Sequence, residues 1–90
     1  MTHILRCWPE YMSEIQSRRK KFELRLNDRD YEVGDILHLH EFDPSANLAT
    51  GTGYNGNETR RRVAHILYGP KFGLAEGWCC MSISDIEESI

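Results

Sequence analysis

The longest strict alternation of apolar and polar positions runs from Lys21 to Asn27. Phe22, Leu24 and Leu26 alternate with Lys21, Glu23, Arg25 and Asn27. Successive side chains of a strand point to opposite faces, so this stretch predicts a half-buried strand. The apolar three are expected to face a core, with the polar four in a row on the other face. A second alternation, Ile36 to Phe42, puts Leu37 and Leu39 inward and His38 and His40 outward. Val63 to Tyr68 is nearly all apolar and predicts a strand buried on both faces or nearly so. Trp78 to Ile83 predicts a last strand. Cys79, Met81 and Ile83 share one of its faces, which makes Cys79 a core residue rather than a nucleophile. His3-Ile4-Leu5 predicts a short first strand. Between the first two strands, Trp8, Met12 and Ile15 fall at helical spacing, and Pro9 suits a first helical position. The helix is expected over 9–18, with Glu14 and Arg18 as an i,i+4 pair.

Asn27-Asp28-Arg29-Asp30 is a turn-type cluster, and Val33-Gly34-Asp35 launches the following strand. Asp43 to Glu58 is rich in Gly, Asn, Ser and Thr and predicts a long loop. Tyr54, its only aromatic, either stacks on a base or sugar or pins the loop to the core. The glycines there do not make a phosphate loop, because no Lys-Ser/Thr follows them.

Ninety residues amount to one domain, 1–90, of mainly β, α+β class. Hydrophobic content of 40% and charged content of 28% describe an ordinary globule rather than a disordered chain. No apolar run approaches the roughly 18 residues that cross a bilayer, and the N-terminus has no secretion-signal pattern. Three cysteines, two of them adjacent, make a poor disulfide framework, so a reduced cytoplasmic setting is expected.

The net charge of −3 conceals segregation. Nine of the eleven cations lie in Arg18–Arg29 and Arg60–Arg62. Either these form a basic face for an anionic partner, or they balance acids across the fold. His38-x-His40 is a metal pair in principle, but its spacing to the thiols fits no closed Cys/His pattern. Two surface imidazoles are the expectation, with no metal and no cofactor.

Lys20-Lys21-Phe22-Glu23-Leu24-Arg25, Asn27-Asp28-Arg29-Asp30 and Val33-Gly34-Asp35 together resemble the ASCH group of the PUA-like superfamily. Its G-x-K-x-x-E-x-R signature is matched by Lys20, Glu23 and Arg25. The chain looks most like a small branch of unknown function, common in phages and bacteria, with further matches at Tyr31, Tyr54, Gly56, Val63, Gly73-Leu74 and Gly77. The signature glycine is replaced by Arg18, and Asn57 stands where the branch often has Arg. The resemblance implies a pseudo-barrel of about five or six strands with one or two helices.

It also implies binding of RNA or a nucleotide, including a modified nucleoside. The residues expected to carry this are Lys20, Lys21, Glu23, Arg25, Asn27, Arg29, Tyr54, Arg60 and Arg62. Arg25 and Arg29 suit bidentate contacts with phosphate or a base edge, and the lysines and Arg60–Arg62 supply charge for the backbone. Glu23 suits an exocyclic amine or a 2′-OH. The same residues also read as an ion-pair network that only holds the barrel together. Some ASCH-type proteins resemble amidohydrolases acting on an acylated cytidine nucleoside, with a catalytic Lys at the position of Lys20. Those hydrolases have Thr where this chain has Glu23. A third class is a module whose basic face meets an acidic protein partner, without chemistry.

Overall fold

The structure is a computed structural model that describes residues 1–46 and 53–86. Its elements are β1 (Thr2–Cys7), α1 (Pro9–Gln16), β2 (Phe22–Leu26), β3 (Ile36–Phe42), β4 (Tyr54–Tyr68) and β5 (Trp78–Ser84). The strands form one curled sheet, a half-barrel, in the order β1-β3-β4-β5-β2. β1 and β3 are parallel, and α1 with β2 lies between them in sequence. The other three pairings are antiparallel. β1 and β2 are therefore the two edges, and among the described residues no ladder joins them.

The concave face carries the core. Leu5 and Cys7 of β1, Leu37 and Leu39 of β3, Val63 and Ile66 of β4, and Cys79, Met81 and Ile83 of β5 are buried there. Met12 and Ile15 of α1 close over them, also fully buried. Full burial of an aliphatic side chain contributes about 1.5–3 kcal/mol, so these residues are the main apolar contribution to the fold's stability. The amphipathic spacing of α1 is thus as expected. The helix ends at Gln16 rather than 18, and the reason lies in its last carbonyls. Arg18 N–H donates to Ile15 O and Arg19 N–H to Glu14 O, the paired bonds of a Schellman cap. That cap needs a left-handed residue, and Arg18 adopts it at φ +66°. This is the position of the missing signature glycine. With the chain turned there, Glu14 pairs with Arg19 at 2.8 Å instead of with Arg18, and Arg18 reaches Asp85 at 2.9 Å.

Val33-Gly34-Asp35 locks β3 to its neighbours. Gly34 takes φ +96°, its N–H donates to Val63 O, and Val63 N–H donates to Asp35 O. The Asp35 side chain is buried and accepts from His3 Nε2 at 2.8 Å, from the Glu32 amide and from the Met1 ammonium. Burial alone pushes its carboxyl up. The bond from His3 and the two from N–H groups outweigh that and hold it at about 2.

Three strand expectations need correction. Residues 54–58 belong to β4 rather than to a loop, because Asn57 ties the strand to Gln16 and Glu41 by side-chain hydrogen bonds. The rest of the expected loop tip, 47–52, lies outside the described residues. The segment 63–68 is not buried on both faces: Ala64, His65 and Tyr68 are exposed, since among the described residues no layer covers the convex side of the sheet. Finally, β2 faces the opposite way to its alternation. Phe22, Leu24 and Leu26 are 48–50% exposed, whereas Glu23 is 4% exposed. Glu23 pairs in register with Met81 and Arg25 with Cys79, so both look into the concave side.

Two outcomes test this architecture. Arg18→Gly should stabilise the fold by about 0.5–1 kcal/mol in urea titration, because relief of the left-handed strain exceeds the loss of an exposed ion pair. Asp35 has a depressed folded pKa, so its contribution is full above the unfolded value near 4 and is lost as pH falls towards 2. Urea midpoints measured from pH 6 to pH 2 should show an Asp35→Asn deficit of about 2 kcal/mol that vanishes at the acid end.

Candidate functional site

A groove of about 750 Å³ runs along the gap between the two edge strands. Its geometry follows from how β2 faces. Glu23 accepts from Lys20 Nζ at 2.7 Å on one carboxylate oxygen and from Arg25 Nε at 2.9 Å on the other. Lys20 Nζ also donates to Phe22 O, and it lies 4.7 Å from the Phe22 ring centroid. Arg25 Nη2 donates across the gap to Arg6 O at 2.7 Å, and Arg29 Nη1 donates to Ile4 O at 3.0 Å. Ile4 and Arg6 are two residues apart on β1, so their carbonyls point the same way. Two guanidiniums thus bridge edges that a closed barrel would join by backbone bonds. The space they leave is the groove.

With Glu23 inward, the apolar side of β2 becomes one wall. Phe22, Leu24 and Leu26 line it together with Trp8, Tyr11 and Trp78. All six are between 40% and 50% exposed. Trp8 and Tyr11 stack at 6.1 Å. So many large apolar side chains around one cleft mark a binding surface rather than scatter. Leu5, Cys7 and Tyr31 also line the groove. Burial, with Glu23 nearby, pushes the Cys7 thiol up to about 11, so it is an inert wall residue rather than a nucleophile.

Beyond Arg25 and Arg29 the groove meets a second concavity lined by Ile4, Arg6, His40 and Tyr54. Arg6 packs 4.6 Å over the Phe42 ring and donates to the Tyr54 hydroxyl at 2.8 Å. Three arginines therefore meet at this end, while aromatic and aliphatic groups dominate the other.

Of the residues expected from sequence, Lys20, Glu23, Arg25, Arg29 and Tyr54 come together here. The others do not. Asn27 accepts from the Tyr31 amide and shapes the turn. Lys21 lies over a separate hollow with Arg18, Arg61 and Asp85. Arg60 and Arg62 project from the convex face, on the side opposite the core residue Val63, and Arg62 donates to Gly34 O. Arg6, Trp8, Tyr11, Leu24 and Trp78 were not anticipated as site residues. Their only sequence signal is the presence of two tryptophans in so short a chain, which does not show that they converge.

A family model described as a domain of unknown function, DUF3850, matches residues 2–83. The chain belongs to this family. The match spans the helix and the five strands of this DUF3850 domain up to Ile83 in β5, and with them every residue of the groove. No curated protein matches the chain. No helix among the described residues is long and apolar enough to cross a membrane.

The reversed β2 makes a sharp prediction. Glu23→Ala strands two partly buried cations and should cost about 3 kcal/mol in urea titration, the low end for breaking a buried pair. Leu24→Ser, at a half-exposed position, should cost under about 1 kcal/mol. Were β2 turned the other way, the order of the two effects would reverse.

Proposed function

We propose that the groove of this DUF3850 domain binds a nucleotide, either free or within single-stranded RNA. The observation that carries the reading is the division of one continuous groove into an aromatic-aliphatic wall and an arginine-rich end. A nucleotide has the same division. Its base has a π-face that stacks on Trp, Tyr or Phe, and its phosphate takes charge-assisted bonds from guanidinium. A guanidinium carries five N–H donors, and Arg29 commits one of them to Ile4 among the described residues. The volume of about 750 Å³ suits a ligand of that size.

The resemblance to the ASCH group of the PUA-like superfamily supports the same reading, since Lys20, Glu23 and Arg25 all line the groove. The three free thiols fit a reducing, cytoplasmic setting. For hydrolysis, Lys20 would first have to leave Glu23 and Phe22 O, which now accept its hydrogen bonds.

Trp8 and Trp78 provide an intrinsic reporter. Titration with a short single-stranded RNA and with nucleoside monophosphates should quench their fluorescence saturably. Affinity for the RNA should fall steeply as salt rises. Arg29→Ala should lower the salt slope by about 1, and Trp78→Ala should weaken binding by roughly 1–3 kcal/mol. Arg60→Ala should change nothing. A flat salt dependence, or equal losses from Arg60→Ala and Arg29→Ala, would overturn the reading. Saturable binding accompanied by release of acetate from N4-acetylcytidine, abolished by Lys20→Ala, would move it to the amidohydrolase class.

A further inference from the structure

The convex face holds a second cluster, of which only His40 borders the arginine-rich concavity. His38 and His40 stand two residues apart on β3, and Glu58 faces His40 in register on β4. His38 Nε2 lies 3.1 Å from one Glu58 oxygen, and His40 Nδ1 lies 3.6 Å from the other. The imidazole centroids are 4.3 Å apart. One donor atom from each residue falls within 4.8 Å of the other two. We propose that His38, His40 and Glu58 bind a divalent first-row transition cation of the zinc type.

Distances of about 2.0–2.2 Å from such an ion to imidazole nitrogen or carboxylate oxygen imply ligand separations of about 3.0–3.6 Å. The two histidine–glutamate distances already lie in that range, each to its own carboxylate oxygen; with one donor atom per residue the separations reach up to 4.8 Å, so an ion draws the three side chains closer together. Two imidazoles and one carboxylate form a donor set that borderline cations prefer and that leaves positions open for water. The ligands sit on paired strands, which hold a site more rigidly than loops do. Exposure rises from 11% at the His38 side chain to 29% at His40 and 49% at Glu58, which gives the ion a path in from the glutamate side.

His40 Nε2 is the ring nitrogen turned away from Glu58. It is buried and has no hydrogen-bond partner among the described residues. It is Nδ1, the other ring nitrogen, that faces the Glu58 carboxylate and is free to ligate. The thiols are not part of this set. Cys7 and Cys79 are buried on the concave face, and Cys80, on β5, pairs with Leu67 at the far end of β4 from Glu58. Two cations among the described residues are in register with the site, Arg60 opposite His38 on β4 and Arg6 beside His40 on β1, and they weaken the affinity without blocking a ligand.

The test uses the full chain without an affinity tag, titrated with Co²⁺ alone. One equivalent should bind, give a d–d absorption without a thiolate charge-transfer band, and be displaced by Zn²⁺. Glu58→Gln and His40→Ala should each weaken binding at least about tenfold. His65→Ala, at an exposed position outside the cluster, should leave binding unchanged. Should His40→Ala not fold, Glu58→Gln carries the test, because its side chain is half exposed and its amide replaces the carboxylate without loss of volume. No saturable binding, a thiolate band, or unchanged affinity in Glu58→Gln overturns the proposal.

Discussion

Glu23 sits inside the half-barrel with an ammonium on one carboxylate oxygen and a guanidinium on the other. A lone carboxylate at that depth would carry a desolvation penalty of several kcal/mol. Two cations and the mouth of a groove reduce it, and β2 can then turn its charged side inward. The consequence appears on the other face. Phe22, Leu24 and Leu26 must point out, where no layer of the described residues covers them, and they become a wall that Trp8, Tyr11 and Trp78 extend. The ion trio and the apolar wall are therefore two sides of one strand orientation.

Arg25 of this trio, together with Arg29, explains why the sheet stops short of a barrel. β1 and β2 run past each other as free edges, and an edge with unpaired carbonyls invites another strand. Here Arg25 and Arg29 occupy carbonyls of Arg6 and Ile4. The edges are satisfied by side chains, which hold the strands apart where a ladder would have drawn them together. A groove lined by arginine at one end and aromatic rings at the other is what remains between them.

Much of this fold is legible in the sequence. The alternation in Ile36–Phe42 and the face shared by Cys79, Met81 and Ile83 give the inward residues of β3 and β5 correctly. Met12 and Ile15 identify the buried side of α1. The alternation of β2 was equally clear, yet period two separates the faces without saying which of them is inside. That choice depends on register with β5, where Glu23 meets Met81, and on the approach of Lys20 after the cap at Arg18. Neither is a local property. The same limit hid Arg6 and Trp78, which are 72 positions apart and meet only when the sheet curls. Arg60 and Arg62 misled for the converse reason: a run of three cations on a strand must alternate, and the core on one side sends these two to the convex face.

The central claim is that the leucines of β2 face solvent while Glu23 faces the core. Methyl NMR with a soluble nitroxide reads this directly, since the probe broadens only methyl groups it can approach. The account predicts strong broadening for Leu24 and Leu26 and sharp, protected signals for Leu37 and Leu39. Leu24 and Leu26 as protected as Leu39 would contradict it.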